Sequence, residues 1–253
     1  MLELNQIAEL RAQQSAAFTR ELLADVLNEP AQSSLDASAG RLSLDLALLL
    51  YALESDRTEI RQCFRQAALH LSRDLAARQP PDPATHRSPC EAEMHINVIA
   101  SFGTQDDRGR IAGLQPWQYR NPPYPEHAAL ARYLAALLPY VSGAPLDHAA
   151  LDAVAAACET DNATKEDRLF LLPSVRGLAA VEARDARAWN LALAQRVAAH
   201  QDEARAGDVR LLPQGFICLG GMMLAKLGRD KGMACRATSD YLPLFLLDDE
   251  APG

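Results

Sequence analysis

Aromatic residues make up only 6% of this 253-residue chain, and runs of β-branched residues are few. Sheets draw on those residue types, so their scarcity beside abundant Ala and Leu predicts an all-α protein. Positive charge is also in deficit. The formal net charge is −8, with acidic clusters at Asp106-Asp107, Asp202-Glu203 and Asp248-Asp249-Glu250. That balance argues against nucleic acid and anionic membrane as partners and permits a basic protein partner. Cysteine pairing is lacking too: Cys63, Cys90, Cys158, Cys218 and Cys235 are odd in number and widely spaced, with no CxxC, so free thiols are expected. No charged-then-apolar leader opens the chain at Met1-Leu2-Glu3-Leu4-Asn5, which sets the expectation of a cytoplasmic protein. The apolar stretch Phe216–Leu227 is too short to span a membrane and is broken by Lys226.

Catalytic and cofactor signatures are missing as well. There is no GxGxxG, GxxxxGK[ST], GxSxG or HExxH, and no cofactor is expected. The nearest approach to a metal constellation is His86, Cys90, Glu91, Glu93 and His95, whose spacing fits neither a zinc knuckle nor a helical His pair, so no metal is expected either. His200 falls on an apolar stripe without a Ser, Cys or Asp partner at usable spacing, which makes it a hydrogen-bonded, half-buried histidine rather than a base.

What the chain does contain is helix pattern. With 49% hydrophobic residues it can bury a sizeable core as one domain over 1–253, and 103–125 is where a division into two packed halves would fall. The stretch from Leu211 to Leu247 organises the rest, because its Phe216–Leu227 part is apolar on every side and demands cover. Pro213 suits a first turn, Lys226 and Arg229 suit a C-terminal end, and Gly232 closes the turn. Gly215, Gly220 and Gly221 each cost about 1 kcal/mol against Ala, a loss that makes sense where neighbouring helices approach closely.

Upstream, residues 2–28 place Ile7, Leu10, Phe18, Leu22 and Val26 on one face of a helix ended by Pro30. A connection leads to a second buried helix over Leu42–Leu53 with Asp45 near its start. Asp56-Arg57-Thr58-Glu59 resembles a capping box for a helix carrying Ile60, Phe64, Ala67, Leu71 and Leu75, so the two form an antiparallel hairpin. Short helices are expected at Glu91–Ser101 and within Thr104–Leu114. Four prolines forbid regular structure over Gln115–Pro125. Further helices follow from Pro125 to Pro139, over 146–159, on both sides of Pro173, and from Asp185, an N-cap, to Arg205. The sum is eight to ten helices in antiparallel hairpins, with at most one short extended segment, Met233–Thr238, near the C-terminus.

The helix Asp185-Ala-Arg-Ala-Trp189-Asn190-x-Ala192-Leu193-Ala-x-x-Val197-x-x-His200, the Gly-containing apolar helix after it and Asp240-Tyr241-Leu242-Pro243 carry a resemblance, clearest over residues 165–247, to the immunity protein 49 family of bacterial polymorphic toxin systems. The Pro/Tyr/Trp segment 115–125 departs from that pattern. The resemblance implies an α-helical cytoplasmic protein that binds and neutralises a cognate toxin; separately, a monomer or weak homodimer is expected. On spacing, Trp189 and Tyr241 belong to the core rather than to a contact. Two other readings compete: a helical scaffold or adaptor with a concave surface, and an enzyme built from His86, Glu93 and His95 or from Asp106 and Asp107. For a docking surface the residues themselves point to Asp106, Asp107, Trp117, Tyr119, Arg120 and Tyr124. Aromatics and arginine on a proline-stiffened segment make interface anchors at low ordering cost, and the two acids could steer a basic toxin surface. The alternative for Trp117 and Tyr124 is that they seal the core.

Overall fold

The computed structural model describes residues 6–29, 33–77, 89–112, 127–210 and 212–248. Among them are ten α-helices and no strand: α1 Gln6–Asn28, α2 Ser33–Ala52, α3 Arg57–Ala77, α4 Pro89–Phe102, α5 Gln105–Arg110, α6 Ala128–Val141, α7 His148–Cys158, α8 Leu172–Glu182, α9 Ala186–Ala206 and α10 Leu219–Asp230. A π turn, Asp167–Leu171, leads into α8, and 3-10 turns occupy Pro213–Gly215 and Leu244–Leu247. The all-α class and the hairpin pairing are as the sequence predicts. Met233–Thr238 is irregular and joins no sheet.

Local chemistry explains where the helices start and stop. Asp56 Oδ1 accepts from the amides of Thr58 and Glu59 at 2.9 and 3.2 Å, and Asp185 Oδ1 accepts from those of Arg187 and Ala188 at 3.0 Å, so both are N-caps. Helix ends use the left-handed turn that returns two amides to the last helical carbonyls. After α10 this is Gly232 (φ 79°), with Met233 N bonded to Gly228 O at 3.0 Å. After α2 and α8 the same turn falls on Glu54 (φ 55°) and Arg184 (φ 54°), where no glycine marks it in the sequence.

Three boundaries differ from expectation. The second helix begins at Ser33 rather than Leu42, because Leu44 and the small residues Ala39 and Gly40 continue its packing face; a Cβ on Gly40 would lie 2.7 Å from Leu71 of α3. Asp45 therefore sits in mid-helix, where its carboxylate accepts from Gln214 Nε2 at 3.0 Å. Helix α6 runs through Pro139 to Val141 instead of ending at it. The apolar helix starts at Leu219, since Phe216–Cys218 form an irregular approach whose Cys218 amide bonds to Tyr241 O at 2.8 Å.

The first helix is turned from its expected orientation. Ala12, Ala16, Thr19 and Leu23 are buried, while Leu10, Phe18 and Leu22 of the expected stripe are 58, 61 and 37% exposed. Helix α1 rests chiefly on α2, and two alanines let the backbones come close, which a Leu/Phe ridge would prevent.

Helix α10 is the centre, packed on α4, α8 and α9, with Met222, Met223, Leu224 and Ala225 fully buried. Its glycines lie where α9 presses in: a Cβ at Gly220 would be 2.8 Å from the Arg196 guanidinium, and one at Gly228 would be 2.2 Å from the Trp189 ring. Trp189 is wholly buried and donates its indole N–H to Leu224 O at 3.0 Å. The C-terminal turn closes this core. Arg61 and Arg229 donate to Phe245 O and Leu244 O, and Tyr51 donates to Asp240 O, so the segment is tied to α2, α3 and α10 by its backbone carbonyls.

Candidate functional site

A cleft of about 1330 Å³ lies between the α2–α3 turn, the C-terminal end of α9 and the segment 237–245. Its apolar lining includes Tyr51, Ile60, Phe216, Tyr241, Leu242 and Phe245, and its charged rim carries Arg57, Arg205, Arg210, Glu54 and Asp240. Arg57 stacks over the Phe245 ring, 4.4 Å from its centroid. No ion pair engages Arg57, Arg205 or Arg210 among the described residues. Burial, followed by the nearby Asp240 and Glu54 carboxylates, pushes the Tyr51 hydroxyl up to about 12, so it stays a hydrogen-bond donor at neutral pH.

His200 contacts two residues of the cleft wall, Gly215 and Tyr241. Its Nε2 donates to Gly215 O at 3.1 Å and its ring meets Tyr241 edge-on at 5.6 Å. Burial, aided by the Arg196 cation, lowers its pKa to about 4, so the imidazole is neutral. This is the half-buried, hydrogen-bonded histidine that the sequence predicts. Tyr241 is half-buried, faces His200 and also lines the cleft, whereas Trp189 is pure core.

The metal-like constellation is dispersed. His86 lies outside the described residues. Glu91 pairs with Arg41, Glu93 with Arg196 at 3.3 Å, and His95 is buried with Nε2 3.9 Å from Glu91. Cys90 is exposed, and among the described residues no three His, Cys, Asp or Glu side chains gather as a metal would require. Cys63 and Cys158 are buried thiols pushed up to about 11, and they stay protonated; burial is the main cause in both.

Of the expected docking residues, Trp117, Tyr119, Arg120 and Tyr124 lie outside the described residues. Asp106 is exposed in the first turn of α5. Asp107 is 3% exposed. Its carboxylate accepts from Thr104 N at 2.9 Å and Thr104 Oγ1 at 2.7 Å, from Ser72 at 3.3 Å and from Arg110, completing a capping box. Burial alone would raise its pKa, but the Thr104 hydrogen bonds together with Arg110 and Ser72 outweigh that and hold it below the usual value.

Sequence reasoning did not foresee the cleft. Its walls come from positions up to about 190 residues apart, such as Tyr51 and Asp240, which are joined by a side-chain hydrogen bond. Ile60, Gly215, Phe216 and Asp240-Tyr241-Leu242-Pro243 stand out in the sequence, but nothing there places them around one hollow.

The molecule is thus an all-α protein with a cleft rimmed by arginines and lined by aromatics. A family model for immunity protein 49 matches residues 110–246, more than half of the chain, and the chain belongs to that family. The match takes in segment 115–125 as well as the parts of the cleft from α9, residues 210–216 and residues 237–245, and leaves out Tyr51–Ile60 on the opposite wall. No curated protein and no solved structure matched the chain. No helix among the described residues is long and apolar enough to cross a membrane.

Proposed function

We propose that the protein neutralises a cognate bacterial toxin by stoichiometric binding, protecting the cytoplasm of the cell that makes it. Membership of the immunity protein 49 family carries this reading. The partner-binding surface includes Asp106 and the segment with Trp117, Tyr119, Arg120 and Tyr124. Asp106 supports that assignment because it is exposed, on a short helix whose start Asp107 caps. A basic patch on the toxin would meet Asp106, raising the association rate more than the final affinity.

The test is co-expression with the toxin of the adjacent reading frame. Survival is expected only when the intact chain is present, and cell death despite abundant folded protein refutes the reading. Trp117→Ala/Tyr119→Ala should lose protection at an unchanged melting temperature. A large fall in stability, or full protection, would instead make the segment structural.

A further inference from the structure

The basic rim of the cleft continues along α3. Arg57, Arg61 and Arg65 recur at every fourth residue and share one helix face. Beyond the Leu244–Leu247 turn, a second hollow of about 260 Å³ is lined by Arg61, Arg65, Arg108 and Lys226 against one carboxylate, Asp248. Leu244 and Phe245 border the first hollow, and Leu246 and Leu247 the second, so the turn forms a saddle between them. In a chain of net charge −8 this groove reverses the prevailing sign.

Some of its cations are committed to the fold. Arg61 holds Phe245 O, Arg108 holds Ala100 O, and Lys226 pairs with Asp230. Others are not. Among the described residues, Arg65 and Arg210 are exposed and bonded to no other side chain, and exposed Arg205 meets the Gln201 amide alone. Exposed arginines are ordinary on a surface. Here Arg205 and Arg210, with Arg57, edge a cleft lined by aromatic rings while Arg65 lines the adjoining hollow, and that combination favours carboxylates interleaved with apolar side chains over a uniform polyanion. Glu54 and Asp240 on the same rim, and the negative charge of the whole protein, oppose a nucleic-acid backbone.

We propose that this groove docks an extended acidic segment of a protein partner. Its carboxylates sit on Arg57, Arg65, Arg205 and Arg210, and an apolar side chain lies between Tyr241 and Phe245. From Arg57 to Arg65 the helix rises about 12 Å, the length of roughly four residues of extended chain. The inference deepens the proposed function and rests on it only for the identity of the partner. Asp106 and the groove address oppositely charged patches, so together they also orient the partner.

Two measurements test it on the full chain. In the first, fluorescence anisotropy follows a labelled peptide alternating Glu with Tyr and Leu, the same peptide with Gln for Glu, and a labelled oligothymidylate. The acidic peptide should bind saturably at low salt and weaken at least about tenfold in about 0.3 M salt. It should weaken as much in Arg65→Glu/Arg205→Glu/Arg210→Glu, whose melting temperature should match the parent, and the Gln peptide should not bind. Absence of saturable binding, equal binding of the Gln peptide or undiminished binding by the triple variant overturns the inference, and tighter binding of the oligonucleotide makes the groove a nucleic-acid site. In the second, the triple variant is tried against the adjacent-frame toxin. Lost protection supports the groove. Full protection by the variant where the wild type also protects removes the groove and leaves the toxin reading standing. Failure of the wild type removes the toxin reading alone, and the peptide result still judges the groove.

Discussion

Replacing Gly228 by Ala gives a sharp test of the packing at the centre of the fold. In an exposed helix the change would gain about 1 kcal/mol from lower backbone entropy in the unfolded state. Here the new methyl would lie 2.2 and 2.3 Å from two carbons of the Trp189 indole and 2.7 Å from its nitrogen. The ring cannot yield, because it is wholly buried and its N–H is bonded to Leu224 O at 3.0 Å. Overpacking of this kind costs about 1–3 kcal/mol or more, and displacing the indole forfeits a further ~1 kcal/mol of hydrogen bonding. Set against the helix gain, the net loss should be about 1–3 kcal/mol, a fall in melting temperature of roughly 2–12 °C for a chain of this size. Gly109→Ala is the control: nothing lies within 4 Å of its added methyl, so it should gain up to ~1 kcal/mol. Urea titration read by Trp emission measures both. A Gly228→Ala protein at least as stable as the parent would show that α9 and α10 are not in the close contact described.

Three further outcomes are expected. The neutral His200 contributes stability that is complete above its unfolded value of 6.5 and is lost as pH falls towards about 4, a total of about 3 kcal/mol; an identical pH dependence of the urea midpoint in His200→Gln would refute it. Leu49→Ala in α2 and Leu219→Ala in α10, at residues 5 and 7% exposed, should each cost roughly 2–5 kcal/mol by thermal unfolding. Phe18→Ser, at a side chain 61% exposed, should cost less than about 0.5 kcal/mol; a loss like that of Leu49→Ala would mean that the α1 stripe is buried after all.

The helices and their caps were legible because their causes are local. Asp56 and Asp185 reach amides two and three residues on, and Ile60, Phe64, Ala67, Leu71 and Leu75 repeat along one face that is buried throughout; Pro213, expected in the first turn of the apolar helix, instead opens a separate 3-10 turn ahead of it. The family pattern was legible for the same reason, since Trp189, Leu193, Val197 and His200 are read in order along one helix. Sequence alone could not say that α1 turns its alanines inward, because Leu10 and Phe18 compete with Ala12 and Ala16 for the contact and only the shape of α2 decides. Nor could it find the helix ends at Glu54 and Arg184, which take a left-handed conformation without glycine. Asp106 and Asp107 look alike as neighbours in the chain, yet one is exposed and the other is sealed against Thr104, Ser72 and Arg110. The arginine groove belongs wholly to the tertiary structure. Charge along the chain is a sum over residues, but a site is a placement, and folding brings Arg57 and Arg65 of α3 together with Arg205, Arg210 and Phe245 from the far end of a sequence whose overall charge is negative.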